Sequence, residues 1–145
     1  MDYNDEMEYR DMMSELTSLD MSELYCELPS EYKQVLEEYV QASSSLMSLT
    51  FRLAMMNAAK QLSGEDKFDD EIHNVSVELC NTLESCMTVL FKLKMMDKVE
   101  YTEKLFSIIT KYSGYDSIDE CITATMKKLE DSRKELGISD DQTDE

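Results

Sequence analysis

The chain contains very little glycine, proline and tryptophan. Its 145 residues include three glycines, one proline and no tryptophan. A β-rich fold needs frequent turns, and glycine and proline are among the residues that form most of them. The scarcity of these residues favours long helices with few breaks. A chain of 145 residues is also long enough to bury the core of one domain. We therefore predict a single helical domain over residues 1–138.

Residues that commonly build catalytic and metal sites are also scarce. His73 is the only histidine, and the four cysteines form no Cys-x-x-Cys pair. Helical bundles bind two metals through paired Glu-x-x-His motifs, and zinc sites usually need closely spaced cysteines. The sequence also lacks a glycine-rich phosphate loop and a Gly-x-Ser-x-Gly turn. We therefore predict no catalytic residues, no metal and no cofactor, and we expect that the protein is not an enzyme.

The sequence shows no signal for secretion or membrane insertion. Residues 1–11 are acidic and contain no long apolar run, so we expect no signal peptide. The longest apolar stretch is interrupted by Arg52 and Asn57, which argues against a membrane span. Four cysteines without a secretory signal are expected to be reduced thiols. We predict a cytoplasmic protein.

The longest regular pattern runs from Ser30 to Leu62 and predicts one helix. Apolar or small residues recur there in alternating steps of four and three, the spacing of a packed helix. They are Val35, Tyr39, Ala42, Leu46, Leu49, Leu53 and Met56. A second stripe beside the first consists of Leu36, Val40, Met47, Phe51, Ala54 and Ala58. One partner helix cannot cover both stripes, so we predict that this helix is buried at the centre of the fold.

The fold class that we predict is all-α, a bundle of four to five helices around a long antiparallel helical hairpin. Its arms are about 30–63 and 69–96, and Gly64 ends the first arm. Folding the arms back at residue 66 predicts a register in which Leu49 lies opposite Leu83. Ser30 is predicted to cap the first arm. Asp97 and Ser117 are predicted to cap the two helices that follow, each with a Glu three residues later. Residues 1–28 are predicted to be helical, with a break near Thr17 to Asp20.

Acidic residues outnumber basic ones by 32 to 14, for a formal net charge of −18. Repulsion therefore disfavours direct binding to nucleic acid or to an anionic membrane. The acid is concentrated early, because residues 1–40 hold twelve acidic and two basic side chains. We predict an acidic N-terminal helical segment, 1–28, which can be mobile, and a disordered acidic tail, 139–145.

The acidic segment is the candidate functional region. In a helix, Glu8, Asp11 and Glu15 form one row of like charges, and each such pair costs a few tenths of a kcal/mol. Solubility needs far less acid, so the rows favour a basic partner, with tyrosines and methionines adding apolar contact. An ordinary solvated acidic face is the alternative. The candidate partner-binding residues are Asp5, Glu8, Asp11, Met12, Glu15, Asp20, Glu23 and Glu27.

Two functions fit these observations. In the first, the protein is a non-enzymatic inhibitor or regulator whose acidic surface mimics nucleic acid and occupies a basic nucleic-acid-binding enzyme or complex. Small acidic helical proteins of phages and mobile elements that block host defence enzymes have this general character, which is an analogy of type alone. In the second, it is a structural or assembly protein that forms a homo-oligomer, such as a homodimer, through exposed apolar helix faces.

Overall fold

The computed structural model describes the backbone of residues 3–138 and the side chains of residues 7–138. Six α-helices follow one another, and no strand occurs within that range. They are α1 (Tyr3–Asp20), α2 (Glu23–Cys26), α3 (Ser30–Ser63), α4 (Asp69–Met95), α5 (Glu100–Ser113) and α6 (Ile118–Glu135). The predicted all-α bundle around a long helical hairpin is confirmed. The predicted tail, 139–145, lies outside the described residues.

Two of the predicted helix ends are confirmed in detail. Gly64 ends α3 in the left-handed conformation (φ 68°), and its N–H donates to the Lys60 carbonyl at 2.8 Å. This conformation is costly for residues with a Cβ atom, which explains why glycine stands there. Ser117 caps α6, because its hydroxyl accepts a hydrogen bond from the Glu120 N–H at 3.1 Å.

Two other predicted caps are wrong. Asp97 does not cap α5, because residues 96–99 make the reversal from α4 and the helix begins only after the extended Val99 (φ −125°, ψ 153°). Ser30 belongs to the first turn of α3, and Pro29 takes the position before it with an extended backbone (φ −60°, ψ 154°). Pro29 has no side-chain acceptor, and its carbonyl accepts from the N–H groups of Tyr32 at 3.1 Å and Lys33 at 3.2 Å.

The acidic segment is more regular than predicted. α1 is continuous through Thr17 to Asp20, and the break falls at Met21 and Ser22. Ser22 is extended, and its hydroxyl donates to the Leu19 carbonyl at 2.6 Å. The same carbonyl also accepts from the Ser22 N–H at 3.1 Å, so Ser22 makes two hydrogen bonds to the end of α1.

The core is centred on α4. The prediction that α3 is buried at the centre of the fold is therefore wrong. Leu90 and Leu93 of α4 are the most deeply buried large side chains, whereas α3 has only Tyr32 and Leu36 fully buried. The reason is that α6 packs against α4, so α4 is covered from two sides while α3 has α4 as its main neighbour. From Val40 onward the second apolar stripe of α3 is therefore exposed.

The hairpin of α3 and α4 is antiparallel and nearly in the predicted register. Near its closed end Lys60 pairs with Asp69, and near its open end Lys92 Nζ lies 3.5 Å from Glu38 Oε2. Both pairs lie within one helical turn of the predicted alignment. The first stripe, from Val35 to Met56, is half-buried along its whole length, as expected for a seam covered by one helix.

Candidate functional site

The acidic helix α1 is held against α5 by apolar packing and by two hydrogen bonds from tyrosines. Leu19 is buried in the core, and Leu16 packs at the margin of the core. Tyr101, in the first turn of α5, donates to Asp20 at the end of α1. Tyr112, in the last turn of α5, donates to Glu15. This order shows that α1 and α5 run antiparallel.

Glu15 is an anchor of α1. In addition to the Tyr112 hydroxyl, its two carboxylate oxygens each accept from Lys111 Nζ at 3.3 Å. The hydrogen bond from Tyr112, and then the ammonium of Lys111, lower the pKa of Glu15. The same contacts raise the pKa values of Tyr112 and Lys111. Glu15 is therefore ionised and already engaged within the molecule at neutral pH.

Asp20 anchors the C-terminal end of α1 to the first turn of α5. Its partner Tyr101 is only 3% exposed, and the Tyr101 ring lies against the Tyr25 ring with 5.8 Å between centroids. Burial, and then the carboxylate of Asp20, raise the pKa of Tyr101, so the hydroxyl stays protonated and donates to Asp20. Two of the eight candidate residues, Glu15 and Asp20, thus hold α1 to α5.

The other carboxylates of the segment remain open to solvent. Glu8 and Asp11 lie one turn apart on α1, and Glu23 and Glu27 lie on α2 and the turn after it; all four are exposed. In the described part of the chain none of these four makes an ion pair. Met12 is half-buried. The side chain of Asp5 lies outside the described residues.

The fold adds acid to the α2 end of the segment that sequence reasoning missed. The pKa of the buried Tyr32 is raised first by burial and then by the charges of Asp97 and Glu31. Both carboxylates are exposed; Glu31 lies in the first turn of α3 and Asp97 in the reversal between α4 and α5. The pattern along one sequence could not reveal this, because only packing brings Asp97 close to Tyr32.

Elsewhere in the molecule many carboxylates are neutralised by bases on other helices. Lys94 of α4 pairs with Asp119 of α6, and Arg133 of α6 pairs with Glu84 of α4. Arg133 is 8% exposed and also donates to Asn81 Oδ1 at 3.2 Å, so this pair is part of the core between α4 and α6. By contrast, residues 7–31, from α1 to the first turn of α3, hold seven acidic side chains and one basic one.

A shallow groove of about 580 Å³ lies between α3 and α4. It is lined by hydroxyl side chains and by Glu38, Lys92 and Glu84, and these three charged groups are engaged in ion pairs. Its lining contains no histidine that could activate one of those hydroxyls as a base, and no cysteine that could itself act as a nucleophile.

Neither a metal cluster nor a membrane helix is found in the part of the chain that the structure describes. No three His, Cys, Asp or Glu side chains there are grouped so that they could hold a metal ion. None of the described helices is both long enough and apolar enough to cross a bilayer.

Comparison with protein-family models, with curated proteins and with solved structures finds no match for this chain.

Proposed function

We propose that this protein is a non-enzymatic, cytoplasmic binding protein that inhibits or regulates a basic nucleic-acid-binding enzyme or complex. The exposed carboxylates of α1 and α2 take the place of phosphates in the partner's groove. A host defence enzyme blocked by a phage or mobile-element protein is one example of such a partner. The observation that carries the proposal is a set of four exposed carboxylates that form no ion pair with any other described residue: Glu8, Asp11, Glu23 and Glu27.

The way α1 is mounted supports this function. Glu15 and Asp20 use their charges to fix α1 on α5, so the rows of acid in the sequence divide into an anchoring part and an outward part. A rigid helix presents Glu8 and Asp11 at a fixed spacing, which lowers the entropy cost of binding. With a net charge of −18, the whole molecule also attracts a basic partner over a long range.

The test uses the partner captured from the source cell on the immobilised protein and then purified. We expect its affinity for this protein to fall as salt rises, and duplex DNA or RNA to compete for the same partner. Reversing the outward charges with Glu8→Lys, Asp11→Lys, Glu23→Lys and Glu27→Lys should raise the Kd at least about 100-fold, because several charge pairs are replaced by repulsion.

A control with the same change in net charge separates the local surface from the overall charge. Asp119 and Glu15 are engaged in interhelical pairs, and Glu120 accepts from the Asp116 N–H. The control therefore reverses other exposed acids of α4, α5 and α6: Glu78, Glu103, Asp131 and Glu135. We expect this control to change the Kd less than about tenfold, because only long-range attraction is lost. Equal losses for both sets, or a partner indifferent to nucleic acid, would contradict the proposed function.

A further inference from the structure

The face of α3 that points away from α4 carries a continuous apolar stripe. We call it the α3 stripe, and its members are Val40, Ser44, Met47, Phe51, Met55, Ala58 and Leu62. All seven are exposed; Phe51 is 68% and Leu62 is 91% exposed. At about 100° per residue they fall within about 40° of Phe51 around the helix. The seam that packs on α4 lies on the opposite side, so α4 and the α3 stripe do not compete for the same residues.

The α3 stripe is self-complementary about Phe51. Met47 and Met55 lie four residues before and after Phe51, and the small residues Ser44 and Ala58 lie seven residues away. Val40 and Leu62, both branched aliphatic residues, lie eleven residues away on either side. Any seam with heptad spacing is symmetric in position, but here the sizes of the side chains match as well. An antiparallel copy would place each side chain opposite one of similar size.

The charge on α3 agrees with an apolar partner and not with a basic one. None of the seven residues is charged, and the only charged residue between Val40 and Ala59 is Arg52, on the flank of the stripe. A chain of net charge −18 repels its own copies, so contact between two copies is easiest where negative charge is missing. The middle of α3 is such a place.

The exposed area is sufficient for a weak, specific dimer. Side chains of about 150–200 Å² each, exposed by the fractions seen for Val40, Met47, Phe51, Met55 and Leu62, provide roughly 600 Å² per copy. Two copies would bury about 1,200 Å², which is at the lower end of stable interfaces. The Tyr9 hydroxyl of α1 donates to Met47 Sδ at 3.3 Å, so α1 borders the α3 stripe and leaves Met47 48% exposed.

We infer that two copies of this chain associate through the α3 stripe. The two α3 helices run antiparallel, and a two-fold axis passes beside Phe51. Such an interface is isologous, because the same patch of each copy contacts the other, and it closes at two subunits. The dimer uses a different surface from the acidic segment, so it leaves Glu8, Asp11, Glu23 and Glu27 available in both copies.

The first test compares two phenylalanines by analytical ultracentrifugation. The wild-type chain should have about twice the 16.8 kDa monomer mass at about 100 µM, because an interface of this size has a Kd on the order of micromolar. Phe51→Asp places two like charges beside the axis and should raise the dimer Kd at least about 100-fold. The control Phe91→Asp changes a 50% exposed phenylalanine on α4 and should leave the dimer intact.

The second test examines the register, and it also covers the case in which Phe51→Asp fails to fold. Met47→Glu alone and Met55→Lys alone should each weaken self-association at least about tenfold. Mixing the two variants should restore dimers, because Glu at position 47 of one copy then faces Lys at position 55 of the other. Circular dichroism monitors the helix content of each variant. Failure of the mixture to recover would exclude the antiparallel arrangement about Phe51.

The dependence on salt separates this inference from the proposed function. Binding of a basic partner by carboxylates should weaken as salt rises. Dimerisation through the α3 stripe should strengthen, because salt screens the repulsion between two acidic chains and does not weaken apolar contact. A wild-type chain that remains monomeric at about 100 µM in about 1 M NaCl would overturn the dimer and leave the proposed function untouched.

Discussion

Single carboxylates in the acidic segment have different roles, although they look alike in the sequence. Glu15 and Glu8 lie on the same side of α1, two turns apart, yet only Glu15 meets a tyrosine and a lysine of α5. Pairs of this kind join residues that are 97 positions apart. One sequence offers no signal for such a pairing, and this is why all the acids of the segment were predicted to face a partner.

The anchoring role of Glu15 predicts a dependence of stability on pH. Its pKa in the folded state lies below the ordinary value of 4.5, so the unfolded state binds the proton more readily. The contribution of Glu15 is therefore complete above about pH 4.5 and is lost as pH falls through the lowered pKa. We expect the stability difference between wild type and Glu15→Gln, measured by urea unfolding, to shrink across this range.

The matched control for that experiment is Glu8→Gln, which removes one negative charge from an exposed position of the same helix. Subtracting its effect leaves the part that belongs to the contact with Tyr112 and Lys111. If the difference for Glu15→Gln stays constant from pH 7 to about pH 3, the carboxylate does not anchor α1.

At the scale of helices, the ends of α3 and α6 were predictable and the burial of α3 was not. Glycine after a helix and serine before one act through local backbone geometry. The end of α3 at Gly64 and the start of α6 at Ser117 could therefore be predicted from the sequence. The two apolar stripes of α3 look equivalent in the sequence. Which stripe is covered depends on where α5 and α6 pack, and that is decided by competition among helices across the whole chain.

The left-handed conformation at Gly64 leads to a prediction about the hairpin. Gly64→Ala should destabilise the fold by about 1 kcal/mol, because alanine is strained at a φ of 68°. A Cβ atom at this position would meet nothing within 4 Å, so the loss comes from the backbone and not from a clash. Thermal or urea unfolding measures it.

Gly64→Asn is the control for that variant, since asparagine adopts the left-handed conformation more easily than alanine. It should show a smaller loss. Equal stability of Gly64→Ala and wild type would mean that the turn does not hold the chain in this conformation.

At the scale of the whole molecule, the fold separates a charged surface from an apolar one. Several exposed carboxylates near α1, α2 and the turn before α5 form no ion pair with other described residues, whereas Arg52 is the only charged residue in the middle of α3. These carboxylates are Glu8, Asp11, Glu23, Glu27, Glu31 and Asp97. The sequence was enough to predict the helical hairpin and the uneven charge. The position of the core in α4 could not be predicted, because a helix with one broad apolar face and a helix covered on two sides have similar patterns.

The contact between α1 and α5 also has a consequence for the order of folding. A connection of five residues, 64–68, joins α3 to α4, whereas α1 and α5 meet through residues 81 and 97 positions apart. Closing the longer loop costs roughly 2–3 kcal/mol more in chain entropy. We expect Leu83→Ala in the hairpin to give a φ-value above about 0.5 and Leu19→Ala in α1 a value near zero, measured by stopped-flow refolding. The opposite ranking would contradict this order.

During synthesis α1 is completed before α5, the helix against which it packs. The end of α5 at Ser113 lies 98 residues after Glu15 (113 − 15), and a ribosome needs on the order of 5–20 s to add them. For that time Leu16 and Leu19 have no α5 to cover them. We expect the dense negative charge around these two leucines to oppose aggregation of the nascent chain, because like-charged chains repel one another.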